Sequence, residues 1–277
     1  MKIIWTIRPL HINLVGLLVG VLVVSLCYAE PRPQQTQVGA GSSAKPKPDI
    51  SITIAKAQAD GKASMYFVEE LAQAGAVEAI PMLEQKFQKA EDPTDKAHIA
   101  SALVRLGDKN PVYWDFLAQE AKQVIESGAP DFLNYDSQGK ALQGPSPAFV
   151  AWAKAHNVSV GAAAQQQMYI APAIIGLLGL TADPRAIPLL RQALSSSNHQ
   201  VAIFAAQGLA QIQDQESISL IVDACRRAPA EAASEIARAL VYFDTPQAQE
   251  AVNKYLPDKV ATADRAARAR GARPLGN

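Results

Sequence analysis

One block, Asp183-Pro184-Arg185-Ala186-Ile187-Pro188-Leu189-Leu190-Arg191-Gln192-Ala193-Leu194, returns along this chain at a nearly constant spacing. Asp214-Gln215-Glu216-Ser217-Ile218-Ser219-Leu220-Ile221 restates it 31 positions later, and Asp244-Thr245-Pro246 opens a third copy after 30 more. Upstream, Ala76-Val77-Glu78-Ala79-Ile80-Pro81-Met82-Leu83 carries the same Ile-Pro-x-Leu, and Asp108 opens another block 32 positions after Ala76. A period near 31 residues constrains the fold more than any other feature here. Each unit is too small to bury an apolar face alone, so neighbours must stack to make a core.

The units share a physical grammar. A first helix rich in Ala and Leu (HIASALVRLG, IIGLLGLT, VAIFAAQGLAQI, EIARALVYF) ends near a Gly or a polar pair. An Asp then opens a second helix, where its carboxylate suits the free N–H groups and the positive end of the helix dipole. Pro184 and Pro246 fall in the first turn, where a missing N–H costs nothing. Ile187, Leu190 and Leu194 follow the i, i+3, i+7 spacing of one buried stripe. Ala206 and Ala210 beside Ile203 and Leu209 predict two helix axes in close approach. Of all residues 49% are hydrophobic but only 6% aromatic, which favours a core of Ala, Leu, Ile and Val in helices over a β-sandwich.

The run D-P-R-A-I-P-L-L…A-L followed by V-A-I-F-A-A-Q-G-L-A-Q-I resembles the HEAT-like repeats first named from phycobilisome lyases. The resemblance covers about 64–127 and 161–256, is strongest at 183–214, and fades at 108–117, where Tyr113 and Trp114 stand in place of Ile-Pro. It implies an all-α fold, an α-solenoid of about five helix pairs with a concave face that binds another macromolecule. It does not imply lyase activity, because one repeat serves many functions.

The N-terminus reads as an address. Lys2 and Arg8 precede a charge-free apolar run over 13–26, whose fourteen residues reach about 21 Å, short of the roughly 30 Å hydrocarbon core. Cys27-Tyr28-Ala29 then places small side chains for a cut ahead of Glu30, as in a secretory signal peptide. An uncleaved inner-membrane anchor is the alternative, and Leu26 before Cys27 argues against a lipoprotein. The expected location is periplasmic or secreted, with export speaking against cytoplasmic pigment attachment. Removing 1–29 leaves 24 basic and 26 acidic residues, so bulk charge points to no polyanion such as nucleic acid. It also leaves one cysteine, Cys225, in an apolar helical stretch that reads as a buried, inert thiol. Residues 30–63, led by the Pro-, Gln- and Gly-rich 30–50, read as a disordered linker. The fragment GAGSSAK lacks the second glycine and the Gly-Lys-Ser/Thr ending of a phosphate loop.

The register breaks once. Asp108 and Asp183 are 75 positions apart, leaving about 44 extra residues that map to 128–165. Within this insertion Ser146 and Pro147 should start a short helix with Phe149, Trp152 and Ala153 on one stripe. Asn134 to Gly139 opens like a calcium loop, but Asn stands first and Pro145 twelfth where a bidentate Glu is required. An Asx-type turn at Asp136 is the better reading. His98, His156 and His199 stand apart, and neither H-E-x-x-H nor G-x-S-x-G occurs. No cofactor, metal or catalytic set is expected. The densest aromatic cluster, Tyr113, Trp114, Phe132, Tyr135, Phe149 and Trp152, is the candidate partner-binding set, since aromatics dominate binding hot spots. Packing inside the solenoid is the competing role for the same side chains.

Residues 64–256 thus read as the repeat domain and 257–277 as a solvated basic tail, whose Arg265, Arg268, Arg270 and Arg273 suit a weak contact with an anionic surface. The functional expectation is a non-enzymatic protein-binding scaffold of the cell envelope. Its alternative is an enzyme or ligand-binding subunit sited in the insertion and using Asp131, Asp136 or His156.

Overall fold

The computed structural model describes residues 50–59 and 63–275. The signal-peptide reading and most of the linker therefore lie outside the described residues. Helices α1 (Ile50–Gln58) and α2 (Ala63–Ala74) lead into a 3-10 turn (Val77–Ala79) and α3 (Ile80–Lys89). Then come α4 (Pro93–Arg105) and α5 (Pro111–Glu126). The insertion holds β1 (Leu133–Tyr135), β2 (Ala141–Pro145) and α6 (Pro147–Ala155). Next, α7 (Val160–Gln165), a π-helical turn (Gln166–Ile170) and α8 (Ala171–Leu180) run on without a break as one long helix. Helices α9 (Ile187–Ala193), α10 (His199–Ile212), α11 (Ile218–Arg227), α12 (Ala230–Arg238), α13 (Pro246–Tyr255) and α14 (Asp258–Ala269) complete the chain.

The expected helix pairs are present: α2/α3, α4/α5, α7–α8/α9, α10/α11 and α12/α13. First helices stack on first helices, α2 on α4, α4 on α8, α8 on α10 and α10 on α12. Second helices do the same where α5 meets α9 and α11 meets α13. Because α4 and α5 reach α8 and α9 directly, the stack passes the insertion without interruption. The predicted stripe is in place, with Leu190 and Leu194 buried and Ile187 half-buried against the same core. Equivalent positions Leu83 and Ile221 are fully buried.

Ala206 and Ala210 are fully buried, and glycines add a further close helix approach. A Cβ on Gly179 of α8 would lie 2.6 Å from the Gly208 Cα of α10, and one on Gly176 would lie 2.8 Å from the Phe204 ring. The two backbones therefore meet across an almost side-chain-free patch, and α8 is buried around most of its circumference.

The repeat Asp residues divide their work. Asp183 caps as expected, accepting from the Arg185 amide at 2.9 Å. Asp214 instead accepts three hydrogen bonds from the Arg191 guanidinium, at 3.0, 2.9 and 2.8 Å, tying α9 to the next pair, and it also pairs with the Ser217 hydroxyl. Asp244 takes Arg268, while Thr245 caps α13 through the Ala248 amide.

Both ends of the array depart from expectation. Residues 50–58, assigned to the linker, form α1, because Ile50, Ile54 and Ala57 make an i, i+4, i+7 stripe that packs on α2. The segment expected as a solvated tail forms α14, which closes the last pair. Arg238 grips Asp264 with two bonds of 2.9 Å, and Arg268 donates to the Val241 carbonyl and to Asp244. Leu275 is buried against α8, its Cδ1 only 2.7 Å from where a Gly179 Cβ would stand. Arg–carboxylate pairs with a few scattered apolar anchors, Val260, Ala261 and Leu275, leave no long hydrophobic stripe for the sequence to display.

Candidate functional site

The insertion folds as a module beside the stack. Asp136 builds its turn: its Oδ1 accepts from the Gln138 and Lys140 amides at 2.8 and 2.9 Å, and Gly139 follows with φ 75°. The antiparallel ladder pairs Tyr135 with Ala141 and Asn134 with Leu142, then slips by a bulge to pair Leu133 with Pro145. Ser146 caps α6 through the Phe149 amide at 3.1 Å, with Pro147 in the first turn as the sequence implied. Phe149, Ala153 and Ala163 form a small separate core, with Phe132, Trp152 and Val158 half-buried around it. The helix of the third pair begins at Val160, so the excursion ends near 159 rather than 165.

Asp131 is the hub of the module. Its Oδ1 accepts from the Leu133 amide at 2.9 Å. Its Oδ2 faces His199 Nδ1 at 2.5 Å and accepts from the Tyr135 hydroxyl at 3.1 Å. Tyr135 and His199 also meet edge to face, centroids 5.7 Å apart. His199 is the first residue of α10, so this buried carboxylate sits where the helix dipole favours negative charge. The sequence left His199 isolated; its partner lies 68 positions away and no local spacing could reveal it. Beside it, Asn198 caps α10 and donates to the Gln167 carbonyl in the π-helical turn at 2.8 Å.

The other enzymatic candidates are not gathered there. Asp136 is occupied by its turn, and His156 lies exposed at the end of α6, its Nδ1 2.8 Å from the Trp152 carbonyl. His98 is half-buried in α4, where burial pushes its imidazole below the ordinary value against the opposing pull of Glu69, Asp95 and Asp92. Cys225 is buried, and burial pushes its thiol up to about 12. Among the described residues no three His, Cys, Asp or Glu side chains converge to hold a metal ion.

The six candidate aromatics split. Tyr113 and Phe149 are fully buried and Trp114 nearly so, so these three serve packing. Tyr113 stands edge-on to Phe87, and Trp114 carries the Arg185 guanidinium 4.4 Å over its ring. Phe132, Tyr135 and Trp152 remain half-exposed on the insertion. Of the basic tail, Arg265 donates to Gln249 and Asn253, and Arg268 is committed to Asp244, so both guanidinia brace α14.

A set that the sequence reading did not single out lies on the second helices. Met82, Leu189 and Leu220 occupy the same repeat position, each just before a fully buried Leu83, Leu190 or Ile221. Met82 and Leu189 are half-exposed and Leu220 is 40% exposed. The Ile-Pro-x-Leu motif contained this signal at its third position.

Compared with known families, residues 162–241 match the family described as HEAT repeats. That stretch runs from α7 to the end of α12 and the turn after it, and the stacking it covers continues through the pairs on either side. The fold is an all-α array of HEAT-like helix pairs, a helical-repeat scaffold. Comparison with the curated proteins finds no match. Among the described residues no helix is long and apolar enough to cross a membrane.

Proposed function

We propose that this chain is a non-enzymatic adaptor of the cell envelope that binds a protein partner along the face formed by its second helices. The repeated exposure of Met82, Leu189 and Leu220 carries the reading. A position one residue before a buried anchor stays apolar and partly exposed in three units, so the second-helix face offers a partner apolar surface at Met82, Leu189 and Leu220, the first two also touching the core. The half-exposed Phe132, Tyr135 and Trp152 give the insertion a second contact surface of the kind hot spots use. The apolar run over 13–26 and the small residues ahead of Glu30 support the envelope location.

The test is crosslinking capture from envelope fractions with the tagged full chain, followed by titration of the recovered partner. Replacing Leu189 and Leu220 together with Glu should weaken binding by at least about tenfold, equivalent to about 1.4 kcal/mol, with the helical CD signal unchanged. Trp152→Ala should add a smaller loss. Equal affinity of a folded double variant removes the second-helix face from the proposal.

One observation favours a second reading, a ligand or catalytic site in the insertion: the Asp131–His199 pair with the Tyr135 hydroxyl on the same carboxylate oxygen. A small molecule retained by the native protein and lost on His199→Gln, with folding intact, would support it over the adaptor.

A further inference from the structure

The insertion is not needed to join the second and third pairs, since α4 already packs on α8 and α5 on α9. It reaches forward instead. From Ala129, just after α5, the chain places Asp131 on the first turn of α10, in the fourth pair. The hairpin tip then reaches α12, in the fifth. There the Glu231 amide donates to the Gly139 carbonyl at 3.2 Å, and the Ala141 amide donates to Glu231 Oε2 at 2.8 Å. Helix α12 has Pro229 as its N-cap residue and no side-chain cap, so the tip satisfies an amide that its own flank leaves open. Gly139 lies so close that a Cβ would stand 2.4 Å from the Ala230 nitrogen, and its φ of 75° is one that other residues rarely adopt.

We infer that the insertion is an intramolecular clasp that fixes the curvature of the array, permanently seated at Asp131 and releasable at the Gly139 tip. In a stack whose units touch mainly their neighbours, bending is set largely by each interface separately. A strap from the second pair to the fifth couples interfaces that otherwise flex independently. The two fastenings differ in strength. Asp131 is buried and bonded to the Leu133 amide, Tyr135 and His199, whereas Glu231 is exposed and the tip holds by two hydrogen bonds and one close glycine contact. The tip can therefore open without unmaking a helix pair. Opening frees the fifth pair to turn against the fourth, which Asp131 still holds, and leaves the Glu231 amide wet.

Gly139→Val and Glu231→Ala in the full chain, followed by hydrogen-exchange mass spectrometry and small-angle X-ray scattering, test this. Gly139→Val should speed exchange over 132–145 and 229–234 by about tenfold, as expected when a local opening loses its closing contacts. Glu231→Ala should do so by a lesser factor. Protection in α4 and α8 should stay at the parental level, while the scattering profile broadens toward longer dimensions. Parental exchange at both segments in both variants overturns the clasp, as does an unchanged scattering profile once the tip is free. Loss of protection across α4 and α8 together with the tip also overturns it, by showing the insertion to be part of the core.

Discussion

Between α8 and α10 the chain meets itself backbone to backbone at Gly179 and Gly208, whereas the insertion meets the array through hydrogen bonds at Asp131, Gly139 and Glu231. The first contact is apolar and continuous with the main core, which runs from Ala57 to Ala261. The second is polar, sparse, and backed by a small separate core of Phe149, Ala153 and Ala163. Burial of this kind is cooperative because removing one side chain is felt by the helices on both sides. A polar strap is local, since each bond can be lost while the rest of the array stays closed. The stack and the insertion should therefore respond to damage in different ways.

The largest effect belongs to the stack. Leu190→Ala removes a fully buried side chain that reaches Gly208 from α9, and should cost about 2–5 kcal/mol in urea unfolding. Gly179→Ala drives a methyl toward the Gly208 backbone and Leu275, an overpacking that should cost about 1–3 kcal/mol. Both should shift one transition seen alike by CD and by fluorescence. Two separated transitions would break the claim that the stack unfolds as a unit.

Phe149→Ala sharpens the other side of the contrast. It empties the centre of the insertion's own core, where Phe132 and Trp152 pack against that ring. The insertion should lose its exchange protection while the main urea transition moves by less than about 1 kcal/mol, the pattern of a local unfolding unit. A shift as large as that of Leu190→Ala would merge the two cores into one.

The same contrast governs what the sequence displays. Leu83, Leu190 and Ile221 are legible because each sits at a fixed place in a recurring unit, so period alone exposes the core. Ser146, Pro147 and Asp136 are legible because a cap or a turn is complete within a few residues. Asp131 with His199, and Gly139 with Ala230, are invisible because each pair joins segments from different units, 68 and 91 positions apart in the chain. Tyr113, Trp114 and Phe149 were ambiguous for another reason: an aromatic serves a core and a binding surface equally well, and only burial decides. Helix α14 was hidden because guanidinium pairs, unlike apolar stripes, carry no period.

The smallest predicted effect tests the polar fringe of the stack by pH. His98 stands in α4 between the buried Ala97 and Ile99, and burial lowers its imidazole from the ordinary 6.5 despite Glu69, Asp95 and Asp92 nearby. In the unfolded chain the ring takes up its proton as pH falls through 6.5, while in the folded chain it stays neutral until a lower pH. Between those two points the unfolded state holds more protons, so stability falls on acidification and is fully present above 6.5. Chemical denaturation at intervals from pH 8 to pH 5 should show this decline in the parent chain and a flatter profile in His98→Gln. Profiles of equal slope would mean that α4 admits the charged ring without cost, and that this part of the stack is as open to water as the insertion.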